Sequence, residues 1–265
     1  MTVFYLSYNS LIEQLIDRYR NSVLSKKRNA NDFHFGTVSK FSLEDNSENI
    51  FSLKYTNEYN EYSKGLVGPI IKFENVKVDY DGRVGLNDVS VEIKRGECVA
   101  IVGPAKSGVT TFFNLINGFV EPTEGKVFTF GKDTSVPELK KIIRPGVATV
   151  LRSACIFPIK TAIENVMLVL TNAENISKRK AYVKAYRLLF KVGLADKAFC
   201  YEDELTLSEK KRLLLVRALV ELPEIVILDH IDEGLSNEEL VEIYTILEQL
   251  KDGGATILAS SDNLE

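Results

Sequence analysis

The sequence is poor in cysteine, carries no excess of positive charge and contains no long hydrophobic run. Its three cysteines, Cys98, Cys155 and Cys200, show neither metal-ligand nor disulfide spacing, so we expect reduced, mostly buried thiols. The formal net charge is −4. Such a chain has no dominant positive field to gather phosphates, which argues against a nucleic-acid partner.

No segment has the pattern of a signal peptide or of a membrane-spanning helix. Glu13 and Gln14 interrupt the apolar residues near the N-terminus. The longest apolar stretches, such as residues 166–170, are far too short to cross a bilayer. If the protein serves a membrane, another polypeptide does the crossing.

Residues 1–66 differ in composition from the rest of the chain. Residues 21–64 are rich in Asn, Ser, Glu, Lys and Tyr without a sustained period, which predicts a partly disordered N-terminal extension. The alternative is a docking arm for a partner subunit. Apolar and aromatic residues near the start have the spacing of one face of a short helix: Phe4, Tyr5, Leu6, Leu11, Ile12, Leu15, Ile16 and Tyr19.

From residue 67 to residue 265 the pattern is that of an α/β domain. Between residues 161 and 219 the periodicity is largely helical. Strands are predicted at residues 71–73, 76–80, 89–93, 97–102, 224–228 and 256–259. The last three of these strands are continuous apolar runs, which are typical of strands buried in a parallel sheet. We therefore expect a mostly parallel sheet flanked by helices.

A glycine-rich turn lies between a predicted strand and a predicted helix, which is the context of a phosphate-binding loop. Its glycines allow backbone N–H groups to surround an anion, and the helix N-terminus adds a partial positive charge. The alternative is a plain strand-to-helix turn that binds nothing. The predicted nucleotide-binding residues of this turn are Gly103, Pro104, Ala105, Lys106, Ser107, Gly108, Val109, Thr110 and Thr111.

The lysine that such a loop carries directly before Thr110 is replaced by Val109. A lysine there donates to the β- and γ-phosphates, and a charge-assisted bond of this kind contributes roughly 1.5–3 kcal/mol. Loss of a preorganised donor to the transition state costs on the order of 10²–10³ in rate. Valine provides neither contribution. Lys106 is the one residue of the turn that could replace this lysine, by reaching over the loop.

Further motifs follow the loop in a fixed order. They are residues 110–131, Phe157-Pro158 with residues 164–166, residues 205–219, and Leu228-Asp229 with Gly234-Leu235. Together they cover roughly three-quarters of the chain. From about Pro69 onward the chain therefore resembles the ATP-binding subunits of ABC transporters, most closely the branched-chain amino-acid uptake group. The resemblance implies a P-loop NTPase-type fold with a helical subdomain at about residues 155–222. Members usually continue beyond the last strand, so a C-terminally short domain is expected.

The resemblance also implies a site for ATP with Mg²⁺, weakly bound in this chain. Tyr80 would stack on adenine. Thr110 and Asp229 would hold the metal, with Asp229 binding its water shell. The signature residues would face the nucleotide of a second subunit, and here they are Leu205, Thr206, Leu207, Ser208 and Glu209.

Several catalytic positions depart from the family pattern. His230 stands where the catalytic glutamate belongs, and Arg152 stands where a glutamine senses the γ-phosphate. The switch histidine would fall near Ser261 or Asp262, but the only histidines are His34 and His230. The signature lacks both glycines and the final glutamine. When catalytic residues act together, losing one removes most of the activity of the group. Because several of these positions are replaced here, we assign no catalytic residue.

The sequence thus predicts a pseudo-ATPase subunit of an ABC transporter-like complex. Its expected partners are a competent ABC subunit, in a hetero-dimer, and a membrane permease. We expect a cytoplasmic protein, peripheral on the inner face of the cell membrane. Two alternatives remain: an active transport ATPase that uses Lys106 and His230, and a non-transport scaffold with residues 1–66 as its arm.

Overall fold

The computed structural model describes residues 4–7, 68–103, 106–134, 146–173, 176–220 and 222–261. Within these ranges the strands are β1 (Phe4–Ser7), β2 (Ile71–Tyr80), β3 (Arg83–Ile93), β4 (Cys98–Val102), β5 (Glu124–Thr129), β6 (Lys132–Asp133), β7 (Val147–Val150), β8 (Ile225–Asp229) and β9 (Thr256–Ser261). The helices are α1 (Val109–Ile116), α2 (Ala162–Ala173), α3 (Lys178–Lys191), α4 (Leu207–Leu219) and α5 (Asn237–Asp252). A single 3-10 turn at Glu202–Glu204 precedes α4 in the described chain.

The larger sheet has the strand order β1-β4-β9-β8-β7. Strands β4, β9, β8 and β7 run parallel to one another, and β1 joins antiparallel at the edge. Every residue of β4 and of β8 is buried, which explains why both strands are continuous apolar runs in the sequence. The predicted α/β architecture with a mostly parallel sheet is confirmed.

A second, antiparallel sheet has the order β3-β2-β5-β6. The sequence predicted two separate strands at residues 71–73 and 76–80, but the structure joins them into β2. The pairing with β3 shifts between Phe73 and Val76, and Asn75 there adopts a left-handed backbone with φ 47°. This local irregularity resembles a β-bulge, which breaks the alternation without ending the strand.

The first residues of the chain do not form the helix that their spacing predicted. Phe4–Ser7 forms strand β1, with Phe4 opposite Val102 and Ser7 opposite Val99. The backbone edge of β4 supplies hydrogen-bond partners, and aromatic residues suit a strand as well as a helix. The helix prediction is therefore wrong for these residues. The rest of the predicted extension lies outside the described residues.

Two hydrophobic clusters cover the opposite faces of the parallel sheet. Alternate residues of β8 serve both clusters: Ile225 and Ile227 face one, and Val226 and Leu228 face the other. The first of these clusters includes the antiparallel sheet and α1. The second includes residues of α2, α3, α4 and α5. The sheet is thus a buried central layer, covered on both faces.

Helices α2, α3 and α4 lie between β7 and β8 in the chain, as the helical periodicity of residues 161–219 predicted. The domain limits at residues 1–66 and 67–265, and the helical subdomain at about 155–222, stay predictions. Across the described ranges, no helix is both long enough and apolar enough to span a bilayer.

The three cysteines are unpaired thiols that differ in burial. Cys98 is buried in β4, and this burial raises the pKa of its thiol to about 11. Cys200 is half-buried and Cys155 is exposed. The reduced state of the thiols stays a prediction, and the expectation that most are buried holds only for Cys98.

Gly125 and Gly131 provide a matched test of backbone packing. Both have positive φ, but a Cβ on Gly125 would lie 2.4 Å from the carbonyl oxygen of Asn75, whereas Gly131 faces open space. Gly131→Ala is expected to lower the free energy of unfolding by ~1–2 kcal/mol, the strain of a left-handed backbone alone. Gly125→Ala adds a clash worth a further ~1–3 kcal/mol. Urea denaturation measures both, and equal losses would contradict the close approach.

Candidate functional site

A cleft of 420 Å³ lies at the carboxyl edge of the parallel sheet. The residues that line it come from the β2–β3 hairpin, the glycine turn, α1 and the ends of β7 and β8, as is common for binding sites in α/β folds. They are Tyr80, Arg83, Val84, Gly85, Gly103, Lys106, Ser107, Gly108, Val109, Thr110, Thr111, Arg152, Asp229 and His230.

The structure brings together the residues predicted to bind nucleotide. Tyr80, Gly103 and residues 106–111 all line the cleft, while Pro104 and Ala105 lie outside the described residues. Two glycines are required by packing. A Cβ on Gly103 would lie 2.3 Å from Ser107 Oγ, and one on Gly108 would lie 2.2 Å from the carbonyl oxygen of Gly85. Helix α1 follows without a side-chain cap, and such an N-terminus favours an anion.

Tyr80 is held at the cleft by its ring and by its hydroxyl. The hydroxyl donates to Thr111 Oγ1 at 3.4 Å. The ring packs so closely on Gly85 that a Cβ there would lie 2.7 Å from the Tyr80 ring. The side chain is nevertheless 44% exposed. It therefore offers a fixed aromatic surface on which a flat base can stack.

Val109 is a packing residue rather than a phosphate ligand. Its side chain is half-buried and packs against the cluster formed by the antiparallel sheet and α1. Lys106 is exposed in the turn before it and lines the same cleft, with a left-handed backbone of φ 69°. A positive charge is thus present at the cleft, but it does not come from the start of α1.

Asp229 is buried at the end of β8, where it accepts a hydrogen bond from the Ser260 hydroxyl at 2.8 Å. The same hydroxyl accepts from the backbone N–H of His230 at 3.0 Å. The imidazole Nε2 of His230 lies 3.8 Å from the Asp229 carboxylate. The sequence interpretation missed Ser260, although a serine in an apolar strand that pairs with β8 was a usable signal.

Arg152 connects the segment after β7 to the turn after β8. Its guanidinium makes two hydrogen bonds to the Glu233 carboxylate, one of them Nε to Oε2 at 2.8 Å. These bonds, together with the charges of Arg152 and Lys211, hold the pKa of the Glu233 carboxyl below its ordinary value. The residue at the γ-phosphate-sensing position is therefore engaged in an ion pair within the chain.

Lys211 holds the turn after β8 from the side of helix α4. Its ammonium donates to the carbonyl oxygens of His230, Ile231 and Glu233, at 3.3, 2.7 and 2.5 Å. Burial lowers the pKa of this ammonium, while the nearby Asp232 and Glu233 act to raise it. Sequence reasoning did not identify Lys211, because its partners are backbone atoms of a distant turn.

The signature residues lie at the start of α4 and do not line the cleft. Thr206 and Glu209 form a capping box, in which each side chain accepts a hydrogen bond from the backbone N–H of the other. Ser208 is buried and donates to Glu242 at 3.2 Å, Leu205 is buried, and Leu207 is 45% exposed. A role facing another subunit stays a prediction.

The predicted metal ligands Thr110 and Asp229 share the cleft, but a third residue of the lining, Arg152, cannot ligate Mg²⁺. Thr110 is exposed there, whereas Asp229 is only 5% exposed and already bonded to Ser260. Arg152 stands where the family pattern has a glutamine, and its guanidinium has donors but no acceptor for a cation. Among the residues that the structure describes, there is no group of three or more His, Cys, Asp or Glu that suits a metal ion. Of the two positions considered for the switch histidine, Ser261 donates to Asp232, and Asp262 lies outside the described residues.

A glycine turn between a buried strand and a helix, opening on a cleft at the carboxyl edge of a parallel sheet, defines a nucleotide-binding domain of the P-loop class. The sequence profile of the ABC transporter family matches residues 86–232, more than half of the chain. The chain belongs to the ABC transporter family, as its motifs predicted.

The curated relatives include ATP-binding subunits of several transport systems. The arginine transport ATP-binding protein ArtM of Bacillus subtilis is 30% identical over 190 residues, which covers 71% of this chain and 79% of the relative. The glutamine transport ATP-binding protein GlnQ of Escherichia coli is 31% identical, with the same coverage. The lipoprotein-releasing system protein LolD of Francisella tularensis is 33% identical, over 64% of this chain and 75% of the relative. The narrower likeness to branched-chain amino-acid uptake stays a prediction.

Solved structures confirm the ABC ATPase fold. The dimeric ATP-binding cassette MJ0796 with ADP and Pi superposes with a TM-score of 0.66 at 26% identity, covering 73% of this chain and 88% of that one. The protein cbiO1 of Clostridium perfringens, described as part of the ABC transporter complex cbiONQ, gives a TM-score of 0.67 at 25% identity, covering 74% of this chain and 80% of that one.

Lys211 and its neighbour Lys210 provide a matched test of the turn after β8. Lys210 makes only a distant ion pair with Glu202, at 3.9 Å. Lys211→Met keeps the aliphatic stem but removes three charge-assisted hydrogen bonds, so we expect a loss of ~1.5–3 kcal/mol in the free energy of unfolding. Lys210→Met is expected to cost less than ~1 kcal/mol. Urea denaturation followed by circular dichroism compares them, and an equal cost would show that the Lys211 bonds contribute little.

Proposed function

We propose that this chain is the ATP-binding subunit of an ABC transporter-like complex that holds nucleotide but hydrolyses it weakly or not at all. In this proposal a competent ABC subunit completes a hetero-dimer, and a membrane permease carries the transported substrate. The chain itself is peripheral, on the cytoplasmic side of the membrane. The observation that carries the proposal is the packing of Val109 against the hydrophobic cluster around α1.

Val109 stands where the family has the lysine that stabilises charge on the transferred phosphoryl group. A half-buried, apolar side chain cannot donate to phosphate, and the loss of one preorganised donor costs on the order of 10²–10³ in rate. Lys106 cannot repeat this contribution from α1, because it precedes the helix and is exposed in the turn. Phosphoryl transfer depends almost entirely on such positioning and electrostatic stabilisation.

His230 is a poor replacement for the catalytic glutamate. Its backbone is in the left-handed region, with φ 54°, and both its N–H and its carbonyl are engaged, by Ser260 and Lys211. Its side chain is only 13% exposed and lies beside Asp229. A general base must reach the attacking water, and this imidazole is directed to a carboxylate of its own chain.

The relatives support the proposed partners. ArtM, GlnQ and LolD are named as ATP-binding proteins of transport systems, and MJ0796 is a dimer in its structure with ADP and Pi. In a hetero-dimer, the start of α4 would serve the site of the competent subunit. Thr206 accepts from Glu209 N–H, and its own hydroxyl proton is left for a phosphate oxygen.

A second candidate is an active ATPase of non-standard geometry. The observation in its favour is that Lys106, Thr110 and His230 line one cleft. A cation, a hydroxyl and an imidazole are therefore close enough to act on one ligand. The two candidates differ in whether the isolated chain turns over ATP.

The test measures ATP binding and steady-state hydrolysis on the purified chain. We expect binding with turnover at the background rate. Tyr80→Ala is expected to weaken binding about 5- to 100-fold, since base–aromatic stacking is worth ~1–3 kcal/mol. Tyr182→Ala is the matched control, because Tyr182 is similarly exposed, at 42%, but belongs to α3 and not to the cleft. It should bind ATP like the unchanged protein.

Two results would contradict the proposal. Turnover that disappears in both Asp229→Asn and Lys106→Ala would establish the active ATPase instead. If the folded protein does not bind ATP at any accessible concentration, this subunit has no nucleotide site. Asp229→Asn is not expected to change a background rate.

A further inference from the structure

The cleft is unusual in the sign of its charges. Arg83, Lys106 and Arg152 line it, and Asp229 is the only carboxylate among the described residues that do so. Sites that take Mg-ATP use the metal to neutralise the phosphates and hold it with carboxylate, hydroxyl and water ligands. Here Arg83 and Lys106 bring positive charge to the cleft, together with Arg152, which is also paired with Glu233.

The single carboxylate is deeply buried, and one of its two oxygens already has partners within the chain. Asp229 accepts from Ser260, which is itself fixed by the backbone N–H of His230. The His230 imidazole lies 3.8 Å from the same Asp229 oxygen. A hydrated dication would have to displace or share these neighbours in a place where the carboxylate is 5% exposed.

Arg152 adds a further obstacle. A guanidinium keeps its positive charge at all ordinary pH values, and Glu233 fixes this one by two hydrogen bonds. Glu233 compensates this charge, so Arg152 opposes a divalent cation between Thr110 and Asp229 mainly because a guanidinium has no acceptor for a metal. The anionic phosphates of a nucleotide, in contrast, gain from every cation in the lining.

Arg83 is placed to serve a bound nucleotide beside the stacking residue. It is paired with Tyr80 across the β2–β3 turn, and it is exposed. Lys106 belongs to the turn that surrounds the phosphates. These cations therefore lie along the part of the cleft that the base, ribose and phosphates of a nucleotide would occupy.

From these contacts we propose that the cleft binds a nucleoside di- or triphosphate as a metal-free anion, with Arg83, Lys106 and Arg152 in place of Mg²⁺. This inference rests on the proposed function, since it requires that nucleotide binds, and it replaces the Mg²⁺ predicted at Thr110 and Asp229. The subunit then responds to nucleotide concentration without responding to free magnesium.

Isothermal titration with ATP tests the inference, in Mg²⁺ and in EDTA at equal ionic strength. We expect the two Kd values to agree within about threefold, less than one charge-assisted hydrogen bond contributes. Binding that is tenfold or more tighter in Mg²⁺, about the effect of one such bond, overturns the inference and leaves the proposed function intact. Absence of binding in both buffers overturns both together.

A converting variant gives the reverse result if the inference is right. Arg152→Gln with His230→Glu supplies a neutral ligand and a second carboxylate, so Mg²⁺ should now strengthen ATP binding about tenfold or more. Arg179→Gln changes an exposed arginine of α3 and is the control. Its affinity for ATP should be the same with and without Mg²⁺. A converted variant that also ignores Mg²⁺ would overturn the assignment of Arg152 and His230.

Arg83→Gln provides an independent arm, because an exposed residue at a hairpin can be changed without loss of folding. It should weaken ATP binding about tenfold, equally in Mg²⁺ and in EDTA. An effect seen only in EDTA would mean that Mg²⁺ normally carries the charge, and this too would overturn the inference. Thermal unfolding of each variant shows that the protein tested is folded.

Discussion

The register of β8 against β9 determines most of the site. It sets Asp229 opposite Ser260, so the hydroxyl of one strand meets the carboxylate of the next at the edge where both strands end. The chain leaves β8 directly into His230, whose N–H is bound by the same hydroxyl. A shift of this pairing by one residue would turn each of these side chains to the other face of the sheet. The position of the acidic residue and the direction of the following turn therefore follow from backbone hydrogen bonds.

Around this edge, side chains from three segments form a connected set of contacts. Arg152 pairs with Glu233 in the turn after β8, and Lys211 holds the carbonyl oxygens of the same turn from helix α4. In an active ATPase site, the segment after β7 and the turn after β8 would contact the phosphates. Here they are joined to one another by charge-assisted bonds that need no ligand. These contacts therefore fix the turn after β8 from two sides, through the segment after β7 and through helix α4.

Short-range features of the sequence predicted the fold and the lining of the cleft well. Strands β4 and β8 are buried on both faces, so their apolar runs stood out, and the glycine turn lies in one contiguous stretch. What the sequence did not reveal depends on partners far along the chain. Strand β1 forms on the edge of β4, almost a hundred residues later. Arg152 and Glu233 are 81 residues apart. No local periodicity contains such pairs.

The close approach of Gly108 to Gly85 has a consequence for how relatives of this chain should be interpreted. Because a side chain on Gly108 would collide with the neighbouring hairpin, packing requires this glycine whether or not ATP is ever cleaved. The same holds for Gly103 beside Ser107. The glycines of such a loop can thus be required for packing even where the loop takes no part in catalysis. The presence of these glycines in a sequence is therefore, by itself, no evidence that the chain hydrolyses ATP.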